Sequence, residues 1–586
     1  MSRILIIESD NQFFADQLRI EGITADNETN FDSAVNSEAE AIIFNNVCIS
    51  EKECREFSKL FEKKANLVFL NPCVHILQFF GIRHGLKEFE GNAWIDKVPV
   101  QIFKAKELYA DFPFKVVLSN EEKKSIGIGF EKFGSNILLF GFNYNQTIFH
   151  LNQGNTVFMD TDGDGVLRID DGITVDRKLK LIPQTDILRQ FVVSLIEERL
   201  SFPLPRIWFY PNKKKCGIIF SHDSDTATKD DVEALMEIDS RSYIKATIFA
   251  REAEIPSIDF EKAKAKGMDV QQHTVYAYAP NVISFLKPIT SFISSTFLFK
   301  FFQKKLLHKQ KQALERFSQI KGNRNHGLIW NKLTDHPFWL HEEGFEFDST
   351  YGANYDNGYL QGTGLPYFLR DPKTLKKSNV LEFPSQIMEA AFIRGEFKQK
   401  QNKMSKEYFP LNNNFGKNYL NEKFMKEFQS SFNEYVDFCN AFIDFSAEKF
   451  HSLVTINFHY SQVFPEHLQE GFILAWYKDL ILHAKNQDSL IESMSFFNDF
   501  WRKKLKAKIG EIEWDEKNKI LNYEIKNNEV NLLSQIIPMT FNQLKLKKIE
   551  TEGKTIEFEK MNWHKIDYAL FNVPNKKEIK ISVIYS

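Results

Sequence analysis

Four short clusters place oxygen and imidazole donors at the ends of apolar runs. The first is Ser221-His-Asp-Ser-Asp225, directly after Ile218-Ile-Phe220. On an extended chain Asp223 and Asp225 point the same way, because side chains alternate with a period of two. One carboxylate can then bind a metal while the other acts as a base. The second cluster is Gly267-Met-Asp-Val-Gln-Gln-His273-Thr, a short strand ending in an imidazole. The third is Asn323-Arg-Asn-His326, and the fourth is Leu453-Val-Thr-Ile-Asn-Phe-His459-Tyr-Ser, again a strand and then a histidine. Taken singly, a histidine at a strand end reads as a structural hydrogen-bonder, and His-Asp-Ser-Asp as a turn or cap. Order and spacing together carry the chemical reading. His222 should point away from Asp223 on an extended strand, which favours a structural role for it. Asp348, in Phe347-Asp-Ser-Thr-Tyr, reads as a turn or cap residue.

A separate acidic segment runs from Asp160 to Asp171, with Asp160, Asp162 and Asp164 at loop positions 1, 3 and 5, Gly165 at 6 and Asp171 at 12. Such spacing wraps oxygen ligands around Ca²⁺, the glycine allowing the sharp turn. It resembles an EF-hand or dockerin loop, with Asp where EF-hands carry a bidentate Glu. A solvated acidic turn between strands is the alternative reading.

The elements that must position these groups are short. In the first third, Ile4–Ile7, Ala41–Phe44, Leu67–Leu70 and Ile137–Phe140 are apolar runs without polar alternation, as in strands buried on both faces of a parallel sheet. Ser50–Lys64 between them predicts a crossover helix. From Pro205 to Lys508, helical and strand-like patterns alternate. Gly217–Phe220 delivers its polar residues at a strand's C-terminal end, where α/β sheets and barrels hold catalytic groups. Residues 281–321 read as a helical insertion. From Ile509 to Ser586, β-branched residues, polar alternation and turns predict a small β-sandwich. The expected class is therefore α/β, in three stretches: 1–204, 205–508 and 509–586.

Composition bounds the partners. In 586 residues, Lys plus Arg is 75 and Asp plus Glu 78, a net charge of −3. That balance argues against a nucleic-acid binder, which would be basic. The 57 Phe residues read as core filling. Five scattered cysteines (Cys48, Cys54, Cys73, Cys216 and Cys439) form neither a disulfide framework nor a CxxC zinc pair, which favours a reducing compartment. The N-terminus shows no signal-peptide pattern. The apolar run 288–299 is about half the roughly 20 residues a membrane span needs. A cytoplasmic location is expected, with secretion not excluded.

The first stretch resembles the class I glutamine amidotransferase-like, flavodoxin-like architecture. It lacks that family's nucleophile elbow, since Cys73 sits in Asn71-Pro-Cys-Val-His75, so the resemblance implies a non-catalytic relative. Over roughly Lys215–Gln462 the chain resembles the polysaccharide deacetylase (NodB-homology) family. Phe220-Ser-His-Asp-Ser-Asp225 matches the first motif in its His-Asp-x-Asp form, and Gly267–Thr274 the second. Gly322-Asn-Arg-Asn-His326 matches the Arg-containing third, Leu381–Glu389 resembles the fourth, and Thr455–Ser461 the closing His motif.

The resemblance implies a central distorted (β/α) barrel and metal-dependent removal of an N-acetyl group from a sugar of a surface glycan or its precursor. It implies Asp223 as general base, Asp225 and His273 as metal ligands, Arg324 as the group orienting the base, and His459 as general acid. Zn²⁺ is the expected ion, with Co²⁺, Mn²⁺ or Ni²⁺ as alternatives. The family's second motif has another His where this chain has Ala277, and His326 is the replacement we expect as third ligand. A site that has lost its metal, leaving a carbohydrate-binding or assembly protein, is the alternative. The intervening Ser224 leaves the roles of Asp223 and Asp225 open to exchange, and Glu389 stands where the family often has Asp. Tyr276 and Trp330, with Tyr278 and Trp339, could stack on sugar rings or pack in the core.

Overall fold

The computed structural model describes residues 3–9, 11–155, 167–276, 297–330, 335–392, 422–463, 472–526 and 529–586. The chain divides into two compact units. One comprises Met1–Asn152, Gln184–Lys214 and Phe500–Ser586, and the other Gln153–Pro183 and Lys215–Asp499. The three stretches read from the sequence are contiguous. The units are not, because the two ends of the chain pack into one of them.

In the first unit a nine-stranded sheet runs Asp26–Glu28, Ile4–Ile7, Ala41–Asn45, Asn66–Leu70, Ser135–Phe140, Ser125–Lys132, Lys115–Asn120, Phe89–Ile95, Val98–Ala105. The first five strands are mutually parallel and include the four apolar runs. The rest of the sheet is antiparallel. In place of one crossover helix the chain forms two, Glu51–Arg55 and Phe57–Glu62. The first begins with a capping box in which Ser50 Oγ accepts from the Glu53 N–H and the Glu53 carboxylate accepts from the Ser50 N–H at 2.8 Å. Phenylalanine fills the core between helices and sheet. Phe44 stacks on Phe69 at 4.9 Å, and Phe57 meets both edge-on. Burying each such ring contributes about 1.5–3 kcal/mol.

The C-terminal stretch adds two antiparallel sheets to this unit. In one, Arg206–Ile207 pairs with Ser534–Pro538, followed by Ile566–Asn572 and Phe558–Trp563. The other runs Lys508–Asp515, Ile520–Lys526, Glu578–Tyr585, Leu544–Thr551, Thr540–Phe541, with Lys554–Ile556 beside Leu544–Thr551.

The second unit is built on a ten-stranded sheet. Its order is Tyr367–Arg370, Lys377–Glu382, Phe347–Asp348, Gly322–Asn325, Asp269–Thr274, Thr247–Ala250, Cys216–Asp223, Leu453–His459, Ile387–Met388, and Ser489–Ile491 also pairs with Cys216–Asp223. All but Tyr367–Arg370 run parallel. Helices Lys229–Arg241, Phe260–Ala265, Phe297–Leu314 and His336–Glu342 lie between successive strands in the chain. The sheet curls. Between Glu382 and Ile387 four residues carry the chain from one side to the other, Phe383 N–H donating to Asp348 O and Gln386 N–H to Thr455 O. Parallel order puts the C-terminal ends of these strands on one rim, where βα connections gather functional groups.

Gly217 is required inside its strand, because a Cβ there would stand 2.5 Å from Leu453 Cδ1 and 2.9 Å from the Phe497 ring. Of the expected insertion at 281–321, residues 281–296 lie outside the described residues, and 297–314 are helical. Asp160, Asp162 and Asp164 also lie outside them. Asp171 belongs to the 3₁₀ turn Ile169–Gly172, its carboxylate accepting from the Arg168 N–H at 2.9 Å. Among the described residues no helix is long and apolar enough to cross a membrane.

Candidate active site

The rim of the second unit brings the four sequence clusters together. The register that does so is set by the strand Cys216–Asp223: Ser221 is opposite Asn457 and Asp223 opposite His459, while His273 is opposite Arg324 on the neighbouring pair. Ser224 fixes the start of the next loop, donating its N–H to Phe249 O at 3.0 Å and accepting the Arg251 N–H on its Oγ at 3.1 Å. Asp225 is thereby delivered back over the strand end.

Asp223 is buried and held on both oxygens. Arg324 Nη1 donates to Oδ1 at 2.8 Å and Asn457 Nδ2 to Oδ2 at 2.9 Å. The guanidinium is fully buried and all five of its N–H groups have acceptors: Asp223, Asn457 Oδ1 at 2.6 Å, Ser221 Oγ at 3.1 Å, and the carbonyl and Oγ of Ser349 at 3.0 and 2.9 Å. Its face lies 4.1 Å from the centre of the Phe249 ring. Burial pushes the Asp223 carboxyl up, but Arg324, then His273 and His459, outweigh it and hold the group down at about 2.

Asp225 stands between two imidazoles. His273 Nε2 is 3.3 Å from Oδ1, and His326 Nε2 is 3.2 Å from Oδ2. The two rings are 5.4 Å apart and nearly perpendicular. Burial raises the Asp225 carboxyl, but His273 and His326 pull it well below the usual range. His273 is pushed down by burial and up more strongly by Asp223 and Asp225, with a net rise. His273 Nδ1 faces the Arg324 carbonyl at 3.0 Å, which accepts only, so Nδ1 carries the proton and Nε2 the lone pair.

That lone pair and Asp225 Oδ1 are both buried without a hydrogen-bond partner. A divalent cation held there would take both atoms as ligands, the imidazole giving up the second proton that Asp223 and Asp225 favour. Asp225, His273 and His326 are donor types that a divalent metal takes, but the two imidazoles face different oxygens of Asp225 and no one atom from each lies within 4.8 Å of the other two. The arrangement gives Asp225, rather than Asp223, the position beside both imidazoles.

On the far side, His459 Nε2 is 3.6 Å from Asp223 Oδ2 and 3.8 Å from Asp225 Oδ2. Its Nδ1 is hydrogen-bonded to Glu389, whose Oε1 also accepts the His459 backbone N–H at 3.1 Å. Glu389 is fully buried at the end of the strand Ile387–Met388. Burial lowers the His459 imidazolium, but Glu389, then Asp223 and Asp225, raise it to about 9.

Other sequence expectations land differently. His222 points away from the rim, its Nε2 3.0 Å from Asp239 Oδ2 and 3.2 Å from Tyr477 Oη, which is structural as expected. Asp348 is not a turn or cap residue. It lies fully buried on a strand, accepting from Asn323 Nδ2 at 2.8 Å and Thr350 Oγ1 at 2.9 Å, and burial pushes its carboxyl up to about 6.

Tyr276 and Trp330 offer no ring face to a sugar, being 1% and 3% exposed. Tyr276 Oη is hydrogen-bonded to His336 Nε2 at 2.7 Å, and the Trp330 ring packs on His336 and Tyr351. Trp339 is buried with them, and Tyr278 lies outside the described residues. Sequence reasoning missed Asn457, Ser221 and Ser349. The first two could have been found by period, since each lies two residues before a site residue on the same strand face.

No protein-family model matches the chain, and no curated protein matches its sequence. Solved structures match about half of it. A protein from Mycobacterium smegmatis ascribed to the polysaccharide deacetylases is 14% identical with a TM-score of 0.31, over 50% of this chain and 93% of that one. A protein from Pseudomonas aeruginosa PAO1 ascribed to the same class is 11% identical with a TM-score of 0.31, over 50% and 93%. An allantoinase is 13% identical with a TM-score of 0.30, over 50% and 92%. At such scores these likenesses carry no weight for function.

Proposed function

We propose that the second unit is a metal-dependent amide hydrolase that removes the N-acetyl group from a sugar of a glycan or glycan precursor. The observation that carries this reading is the division of labour on one rim. One carboxylate is clamped by a guanidinium, a second sits between two imidazoles, and a third imidazole is backed by its own carboxylate. The N-acetyl sugar as substrate rests on the order of the sequence motifs.

Asp225, His273 and His326 would hold the cation, which supplies polarisation of the amide carbonyl and a lowered pKa for water. Asp223 takes the proton of the attacking water. Arg324 and Asn457 keep that carboxylate ionised and aimed. His459 gives its proton to the departing nitrogen, and Glu389 keeps the imidazole charged until it does so.

The test is metal analysis joined to acetate release from an N-acetylated hexosamine oligomer. Asp225→Ala and His273→Ala should each lower bound metal and abolish release. His459→Ala should keep the metal and lose roughly 10²–10⁴-fold in rate. Unchanged metal occupancy in both ligand variants, or no metal-stimulated release by the unaltered chain, overturns the assignment.

A further inference from the structure

The first unit holds a second set of metal-type donors, which amide hydrolysis does not use. Cys48, Cys73 and His75 each offer one donor atom, and these atoms all lie within 4.8 Å of one another. Nothing in the sequence announces the group, since 25 residues separate the cysteines and neither lies in a CxxC pair.

The fold assembles it. Cys48 lies just beyond the strand Ala41–Asn45, and Cys73 and His75 lie just beyond Asn66–Leu70, its parallel neighbour with Asn45 opposite Leu70. Both loops therefore leave the C-terminal ends of two adjacent parallel strands side by side. Asn46 and Asn71 turn the chain there with φ of 56° and 54°. Asn46 N–H donates to Leu70 O at 2.9 Å, and Asn71 Nδ2 to Asn46 Oδ1 at 2.7 Å, which ties one loop to the other. The Ile49 carbonyl lies 3.1 Å from His75 Nδ1 and 3.6 Å from Cys73 Sγ, so one backbone oxygen anchors both side chains. Both cysteines are free thiols, Cys48 exposed and Cys73 half-buried. A cavity of about 260 Å³ opens over them, lined also by Asn46, Asn71, His84 and Lys106.

We propose that Cys48, Cys73 and His75 form a binding site for a thiophilic divalent cation, Zn²⁺, with its fourth position open to this cavity. Two sulfurs and one imidazole nitrogen are a donor set that zinc prefers, and three protein ligands leave one position for water or a small ligand. Tetrahedral Zn–S and Zn–N bonds place these donors about 3.4–3.8 Å apart, and the three atoms already lie within 4.8 Å of one another. Binding forms two Zn–S bonds and one Zn–N bond and releases the two thiol protons to solvent. Nothing is oxidised.

The experiment loads the full, reduced chain with Co²⁺ and reads the near-ultraviolet sulfur-to-cobalt charge-transfer band. Asp225, His273 and His326 contain no sulfur, so the band reports this site whatever happens at the other. The band should appear in the unaltered chain, persist in Asp225→Ala, and vanish in the Cys48→Ser/Cys73→Ser double variant. Its absence from the unaltered chain, or its survival in the folded double variant, overturns the proposal. Should the double variant not fold, iodoacetamide labelling of the unaltered chain decides. Saturating Zn²⁺ should protect Cys48 and Cys73, and unchanged labelling of both refutes the site.

Discussion

Arg324 and Glu389 hold the charged groups of the rim, Arg324 on Asp223 and Glu389 on His459. Arg324 spends all five donors within the protein, so its place cannot be taken by an ammonium with three. Arg324→Lys should therefore leave Ser221 or Ser349 unpaired, let the Asp223 carboxyl rise, and lower kcat/KM for acetate release by roughly 10–100-fold, as loss of an outer supporting contact does. Bound metal should be unchanged, which separates a positioning role from a ligand role.

Glu389 sets the alkaline side. In the proposed mechanism His459 is a general acid, which works only while protonated; held up at about 9, it would support activity below that pH and lose it as pH rises through it. In Glu389→Gln the anion is gone and burial remains. The imidazole should lose its proton at lower pH, and the alkaline limb should move with it. Histidine NMR titration beside the pH–rate profile checks this, and an unmoved limb would remove Glu389 from the mechanism.

Among the elements, the strand Cys216–Asp223 matters most, because it lies between the strands carrying His459 and those leading to His273. Its N-terminal half must be thin where Leu453 and Phe497 press on Gly217, and its C-terminal end must be exactly spaced for Asp223 and Asp225 to face the imidazoles. Gly217→Val should overpack the base of the strand and cost about 1–3 kcal/mol in denaturant unfolding. Wild-type stability in that variant would show that the neighbours yield freely.

Much of this level was legible in the sequence, because apolar runs ending in Asp or His reveal strands and the groups they deliver. Asp223, Asp225, His273 and His459 were singled out in this way, and Arg324 and His326 through the resemblance to the deacetylase motifs. What was not legible depended on pairing between distant strands. The clamp of Asn457 and Ser221 on Arg324 follows from one ladder register, and the meeting of Cys48 with Cys73 from another. Period-two alternation marks Ser221 and Asn457 as lying on the site face, but no local pattern encodes their meeting with Arg324 or that of the two cysteines.

For the molecule as a whole, contiguity misled. The sequence marks a β-rich C-terminal stretch at 509–586 by its alternation, yet that stretch packs in one unit with the N-terminal α/β sheet. Within that unit Glu21 is buried against two arginines. It pairs with Arg189 at 2.5 Å and with Arg206, whose Nε also donates to the Glu21 carbonyl at 3.1 Å. Arg206 opens the short strand that joins the C-terminal sheet at Ser534–Pro538, and its guanidinium lies 4.6 Å from the Trp563 ring. Arg206→Ala should leave a buried carboxylate short of charge and cost about 3–5 kcal/mol, read by thermal or denaturant unfolding of the first unit. A loss below 1 kcal/mol would show that Arg189 alone suffices.

The ladder that sets Asp223 beside His459 has one more consequence, for the chain as it is made. Asp223 emerges from the ribosome long before His459, and the two meet only when the strands Cys216–Asp223 and Leu453–His459 pair. On the proposed mechanism, a polypeptide ending before Leu453–His459 lacks the imidazole that would give its proton to the leaving nitrogen. On that mechanism the acid group arrives late in synthesis, with only Ser489–Ile491 of the sheet's strands still to follow.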